Sequence, residues 1–170
     1  MKTMFLFLLF ISISVSGQNK CELTVDAKTG KPMLLGLTKT VDFQDSNFYQ
    51  WFNSEYTKYK PDSATVEFLR DNLKGKNILI IMGTWCSDSR REVPRFVKIL
   101  DAAGFPETEY KIITVDRKKK APGFDPDSLN IELVPTFIVY ENGKEIGRII
   151  ETPIETLEID LKNILVKKEK

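Results

Sequence analysis

The sequence contains no histidine, and it has only two cysteines, Cys21 and Cys86. Without histidine there is neither a Ser-His-Asp nor a Cys-His catalytic pairing, and the commonest zinc ligand is missing. An excess of one charge is absent too: 25 lysines and arginines face 24 aspartates and glutamates, a formal net charge of +1. Such a balance offers no electrostatic footprint for nucleic acid. Long apolar runs are also lacking. The longest, Met4 to Val15, falls short of the roughly 20 residues that span a bilayer and is broken by Ser12 and Ser14.

That opening stretch has the layout of a secretory signal: Lys2, an apolar run from Met4 to Ile11, then small residues, with Val15 and Gly17 at the positions a signal peptidase reads. Cleavage after Gly17 leaves 153 residues, a size expected to form one domain. The expectation is an exported protein of the periplasm or cell envelope with no stable membrane anchor once the signal is gone. Cys21 does not suit lipid attachment, because Gln18, Asn19 and Lys20 stand where small apolar residues are needed. What remains as distinctive chemistry is sulfur.

Within 18–75 the periodicity predicts a helical extension. Phe48, Trp51, Phe52, Tyr56 and Tyr59 recur at near-helical spacing behind cap candidates Asp45 and Ser46. Pro61 ends that helix, and a second starts at Asp62 or Ser63, buries Val66, Leu69 and Leu73, and stops at Gly75. Within 76–166 the pattern changes. Ile78 to Met82 reads as a strand buried on both faces, and Val93, Phe96, Val97 and Leu100 mark a helix containing Pro94. Tyr110 to Val115 reads as a second, parallel strand. Asn142-Gly143 suits the tight turn of a hairpin between Thr136–Tyr140 and Glu145–Ile150. A last helix is predicted with Thr152, Pro153 and Glu155 at its start and Ile154, Leu157, Leu161, Ile164 and Leu165 inward.

The strand ending at Met82 runs into Gly83-Thr84-Trp85-Cys86-Ser87-Asp88-Ser89, Pro94 follows eight residues after the cysteine, and Val134-Pro135-Thr136-Phe137 opens the hairpin. In this order and spacing the segments resemble the thioredoxin family over roughly residues 77–166. The resemblance implies an α/β fold, a thioredoxin-like three-layer α/β/α sandwich, with a β-α-β unit followed by a hairpin and a helix. It makes Cys86 the sulfur that attacks a disulfide, Trp85 its flanking aromatic, and Val134 with a cis Pro135 the backbone that meets an extended substrate. Physical chemistry adds that the positive end of a helix dipole favours a thiolate there, with Arg90 and Arg91 as candidate thiolate-stabilising cations and Asp88 opposing them.

Two departures matter. Ser89 stands where the family carries its second cysteine, and Ile80 where it often carries a buried acid. Serine cannot attack a mixed disulfide, so the expected function is that of a monothiol oxidoreductase or isomerase whose adducts an external thiol resolves. The expected catalytic residues are Cys86 and Ser89, the latter as a hydrogen-bonding hydroxyl. No metal or cofactor is called for, and the partners would be protein or small-molecule thiols and disulfides. The alternative is a catalytically silent module that holds extended peptides beside Pro135. Cys21 is left open: free, joined to a second chain, or paired with Cys86. The run Arg117 to Lys120 is read as solvated loop.

Overall fold

A computed structural model describes residues 21–167; the expected signal segment and its cleavage site lie outside the described residues. The sheet is built around the chain's most apolar stretch. β3 (Lys76–Met82) buries Ile78, Ile80 and Met82 on one face and Ile81 on the other, so it takes the interior position its sequence requires. It pairs in parallel with β4 (Tyr110–Thr114) and antiparallel with β5 (Thr136–Glu141), which turns back into β6 (Lys144–Ile150). Asn142 and Gly143 both take positive φ at the turn, 49° and 74°, as a two-residue hairpin connection demands.

The first departure from the helical reading of 18–75 is a second hairpin. β1 (Glu22–Val25) pairs antiparallel with β2 (Pro32–Thr38), and β2 pairs antiparallel with β4, giving one sheet of order β1-β2-β4-β3-β5-β6. Pro32 at the start of β2 and Gly36 inside it mask the strand pattern, and β1 is an edge strand with Leu23 and Val25 exposed. The turn between them is held by Asp26, whose carboxylate accepts from the Lys28 N–H and the Thr29 hydroxyl.

The helices follow their apolar faces. α1 (Tyr49–Lys58) begins three or four residues beyond its expected caps, because Asp45 instead bonds the Asn47 N–H while its carbonyl receives Phe48 and Tyr49. α2 (Ser63–Asn72) starts where expected, with the Asp62 carboxylate accepting from the Thr65 N–H at 2.8 Å, a cap worth about 1 kcal/mol. α3 (Ser87–Ala102) carries Pro94 buried within it. α4 (Leu157–Val166) starts later than its sequence suggests. Thr156 caps it, Asp160 reaches back to the Ile154 N–H at 2.7 Å, and Ile154 is 95 % exposed rather than on the apolar face. Pro153 therefore belongs to the loop.

All four helices share one core with the Ile78, Ile80, Met82, Ile112, Phe137 and Val139 face of the sheet. Phe43 stacks on Phe52 at 4.6 Å and Phe96 meets Phe137 at 4.4 Å. Each such buried ring contributes roughly 1.5–3 kcal/mol. The buried Glu158 ties α1, α2 and α4 together, accepting from the Tyr59 hydroxyl at 2.7 Å and the Asp62 N–H at 3.0 Å. On the opposite face Ile81, Ile138, Val115, Ile131 and Val134 form a smaller core, against which Phe124 and Leu129 pack. The third layer of the sandwich is thus the 116–135 segment with one 3₁₀ turn, Asp127–Leu129. Among the described residues no helix is long and apolar enough to cross a membrane.

Candidate functional site

The site forms where β3 ends. Gly83 accepts the Cys86 N–H at 2.9 Å, and Cys86 becomes the N-cap of α3 with extended φ −91° and ψ 129°. Its carbonyl accepts the Arg90 N–H at 3.1 Å, so the backbone begins the helix while the side chain points elsewhere. The half-buried thiol donates to the Val134 carbonyl at 3.2 Å. Val134–Pro135 is a cis peptide. The Pro135 carbonyl in turn accepts the Glu151 N–H at 2.7 Å, and the Thr136 hydroxyl donates to the Leu133 carbonyl, which fixes this segment against the cysteine. Cys86, Val134 and Pro135 are therefore brought together.

Trp85 stands beside them, its indole N–H donating to the Val115 carbonyl at 2.9 Å. Gly83 makes room for it: a Cβ there would fall 2.5 Å from the Trp85 ring. Ser89 is fully buried, and its hydroxyl accepts the Gly83 N–H at 3.2 Å. It holds the strand-to-helix turn, and among the described residues no hydrogen bond joins it to Cys86. Ile80 is fully buried among apolar side chains.

The two expected thiolate-stabilising cations each have other contacts within the protein. Arg90 donates through Nε to the Thr84 carbonyl and lies over the Trp51 ring at 5.7 Å. Arg91 pairs with Asp88 at 2.9 Å and with Glu92, and the bond to Glu92 above all raises its hold on its proton. Thr84 and Trp51 contact Arg90, and two acids of α3 hold Arg91.

Arg117, read from sequence as part of a solvated loop, is a cation beside Trp85. Its guanidinium lies 4.7 Å from the centre of the Trp85 ring and makes two bonds to Asp26, at 2.8 and 2.9 Å. The bonds to Asp26 first, and the nearby charge of Cys86 as a smaller cause, raise Arg117 above the ordinary arginine range. Asp26 is held well below the usual carboxylate range by Arg117 and Thr29. The only sequence signal was Asp26 in a turn-like Asp-Ala-Lys-Thr-Gly, 91 residues distant.

Cys21 does not join this group. It is free, as is Cys86; it accepts a bond from the Thr38 hydroxyl at 3.3 Å, and burial pushes its thiol upward. Among the described residues no cluster of three or more acidic or sulfur side chains is placed to hold a metal.

No protein-family model matches the sequence. A solved Pseudomonas aeruginosa protein of unknown function covers 71% of this chain, with 81% of its own length matched, 15% identity and a TM-score of 0.49. Mitochondrial thioredoxin 3 of Saccharomyces cerevisiae covers 66%, with 98% of its own length matched, 18% identity and a TM-score of 0.39. In sequence, a Dictyostelium discoideum protein named as thioredoxin-5 is 31% identical over 88 residues, 52% of this chain. Those residues take in 80% of that relative's length, and on that likeness the chain belongs to the thioredoxin family.

Proposed function

We propose that the protein performs thiol–disulfide exchange through Cys86 as a lone attacking sulfur, with protein or small-molecule thiols and disulfides as its partners. The observation that carries this is the half-exposed Cys86 thiol at the start of α3, facing the carbonyl before the cis proline, with a buried serine three residues on. In the first step the Cys86 thiol gives up its proton and its sulfur attacks one sulfur of the substrate. A Cys86 mixed disulfide forms, the substrate disulfide breaks, and the leaving sulfur departs as a thiolate that takes up a proton. In the second step an external thiol attacks the mixed disulfide, releasing Cys86 and forming a new disulfide with the departing group. An extended substrate would lie along Val134 and Pro135, beside the Cys86 sulfur.

The proposal includes export: cleavage after Gly17 would deliver the protein to the periplasm or envelope, where disulfides persist. The mature N-terminal mass should correspond to a start at Gln18.

The test is turnover of a fluorogenic disulfide with glutathione as the resolving thiol. Turnover should rise in proportion to glutathione and stop at one equivalent without it; Cys86→Ser should abolish it and Cys21→Ser should leave it intact. Turnover that is absent at every glutathione concentration would favour a silent module that holds peptides beside Pro135.

A further inference from the structure

α1, the first turn of α3 and the two residues that flank Cys86 in the chain border an open groove of about 380 Å³ lined by Trp51, Glu55, Trp85, Ser87, Arg90 and Arg91. Its charges are mostly settled within the protein. Glu55 pairs with Arg95 at 2.7 Å, and Arg91 pairs with Asp88 and Glu92. Arg90 is different: its Nε is bound to the Thr84 carbonyl, its plane lies over Trp51, and it has no acidic partner among the described residues. A half-buried guanidinium with its terminal N–H groups unclaimed is poised for a carboxylate, which it can bind in a fixed fork geometry. The indole N–H of Trp51, on the wall of this groove, is buried with no acceptor among the described residues.

We propose that this groove is an acid-recognition subsite: it takes a carboxylate carried by the thiol or disulfide substrate, next to the sulfur that reacts with Cys86. The inference rests on the exchange reaction proposed above, since it concerns which substrates reach that sulfur. Arg90 grips the carboxylate, with the Trp51 ring of α1 packed against its guanidinium. The carboxylate can come from an acidic residue flanking a peptide cysteine or from a small acidic thiol such as glutathione; both present the same group to the same cation.

The experiment uses activated disulfides in which a cysteine sulfur is joined to 2-thiopyridine. Attack by Cys86 forms its mixed disulfide with the probe and expels pyridine-2-thione, which is read by its absorbance. One set is a blocked dipeptide with Glu, Gln or Lys before the cysteine; the other is glutathione and its diester. With Cys21→Ser protein the Glu probe should react about fivefold faster than the Gln probe, and the Lys probe slower than both. Arg90→Gln should bring the Glu-to-Gln ratio close to one, Arg90→Lys should keep part of it, and 0.5 M salt should shrink it. A preference for glutathione over its diester with no preference among the dipeptides assigns the subsite to a small thiol; the reverse assigns it to peptides. Equal Glu and Gln rates together with equal glutathione and diester rates would overturn the subsite while leaving exchange intact. A ratio that survives Arg90→Gln would overturn the role of Arg90. Failure of every probe to react would overturn the exchange reading itself and this inference with it.

Discussion

Arg117 lies over the ring of Trp85 at 4.7 Å while two hydrogen bonds tie it to Asp26, a carboxylate only 2 % exposed. The pairing joins the β1–β2 turn to the residue that precedes Cys86. It also sets a guanidinium close enough to Cys86 for the two to interact electrostatically. Removing that charge should slow the thiol. In a Cys21→Ser background, Arg117→Gln is expected to cut the rate of iodoacetamide alkylation at pH 7 by about threefold or more. An unchanged rate would show that the cation does not act on the sulfur.

The same pair sets an acid limit on stability. The folded protein holds Asp26 below its ordinary value of about 3.9, so the pair's contribution is present in full above about pH 4. It is lost as pH falls from there through the folded value. Thermal unfolding of wild type and Asp26→Asn should therefore differ by a constant amount from pH 5 to 8 and converge below pH 4. A difference that persists into strong acid would contradict the assignment.

Gly83 is the close approach on which Trp85 depends. With a Cβ 2.5 Å from the indole, Gly83→Ala must displace the ring and break its bond to the Val115 carbonyl. The expected cost is about 1–3 kcal/mol. Trp85 fluorescence, isolated by Trp51→Phe, should shift toward that of an exposed indole. An unmoved emission maximum would show that the turn yields instead.

Much of the fold was legible from residue pattern alone. The run from Ile78 to Met82, the Asn142-Gly143 turn and the apolar stripe of α3 each obey a local rule, and each takes the place that rule predicts. The β1–β2 hairpin was not legible, because Pro32 and Gly36 weaken the strand signal and the pairing that stabilises β2 comes from β4, far along the chain. The start of α4 was misplaced for a related reason: Thr152-Pro153 is a good local cap, yet Asp160 caps from inside the helix. At the site, Cys86, Trp85 and Pro135 could be named from sequence because they sit in short motifs. Arg117 could not, since what gives it a role is a carboxylate 91 residues away. Arg90 and Arg91 were assigned by spacing alone, and the side chains of α1 and α3 decide where they point.

Ser89 sits where a second thiol would be held close to Cys86, but its hydroxyl is engaged by the Gly83 N–H. Ser89→Ala should leave that buried N–H unpaired and cost about 1–3 kcal/mol. Ser89→Cys should do something else: it supplies an intramolecular attacker, so an adduct on Cys86 is released without added thiol. Ile80 offers no proton acceptor, so release should be slow, on a scale of minutes rather than seconds. Quenched-flow mass spectrometry of the two proteins gives the comparison. Equal adduct lifetimes would mean that position 89 does not reach the mixed disulfide.

The most direct measurement is the intact mass of the protein after brief exposure to a small disulfide at neutral pH, with Cys21 replaced by serine. A single adduct should appear on Cys86, persist after the disulfide is removed, and vanish only when a thiol is added; Cys86→Ser should show none. A Cys86 that stays unmodified, or an adduct that clears without any added thiol, would contradict the account of Cys86 as a lone exchanging sulfur.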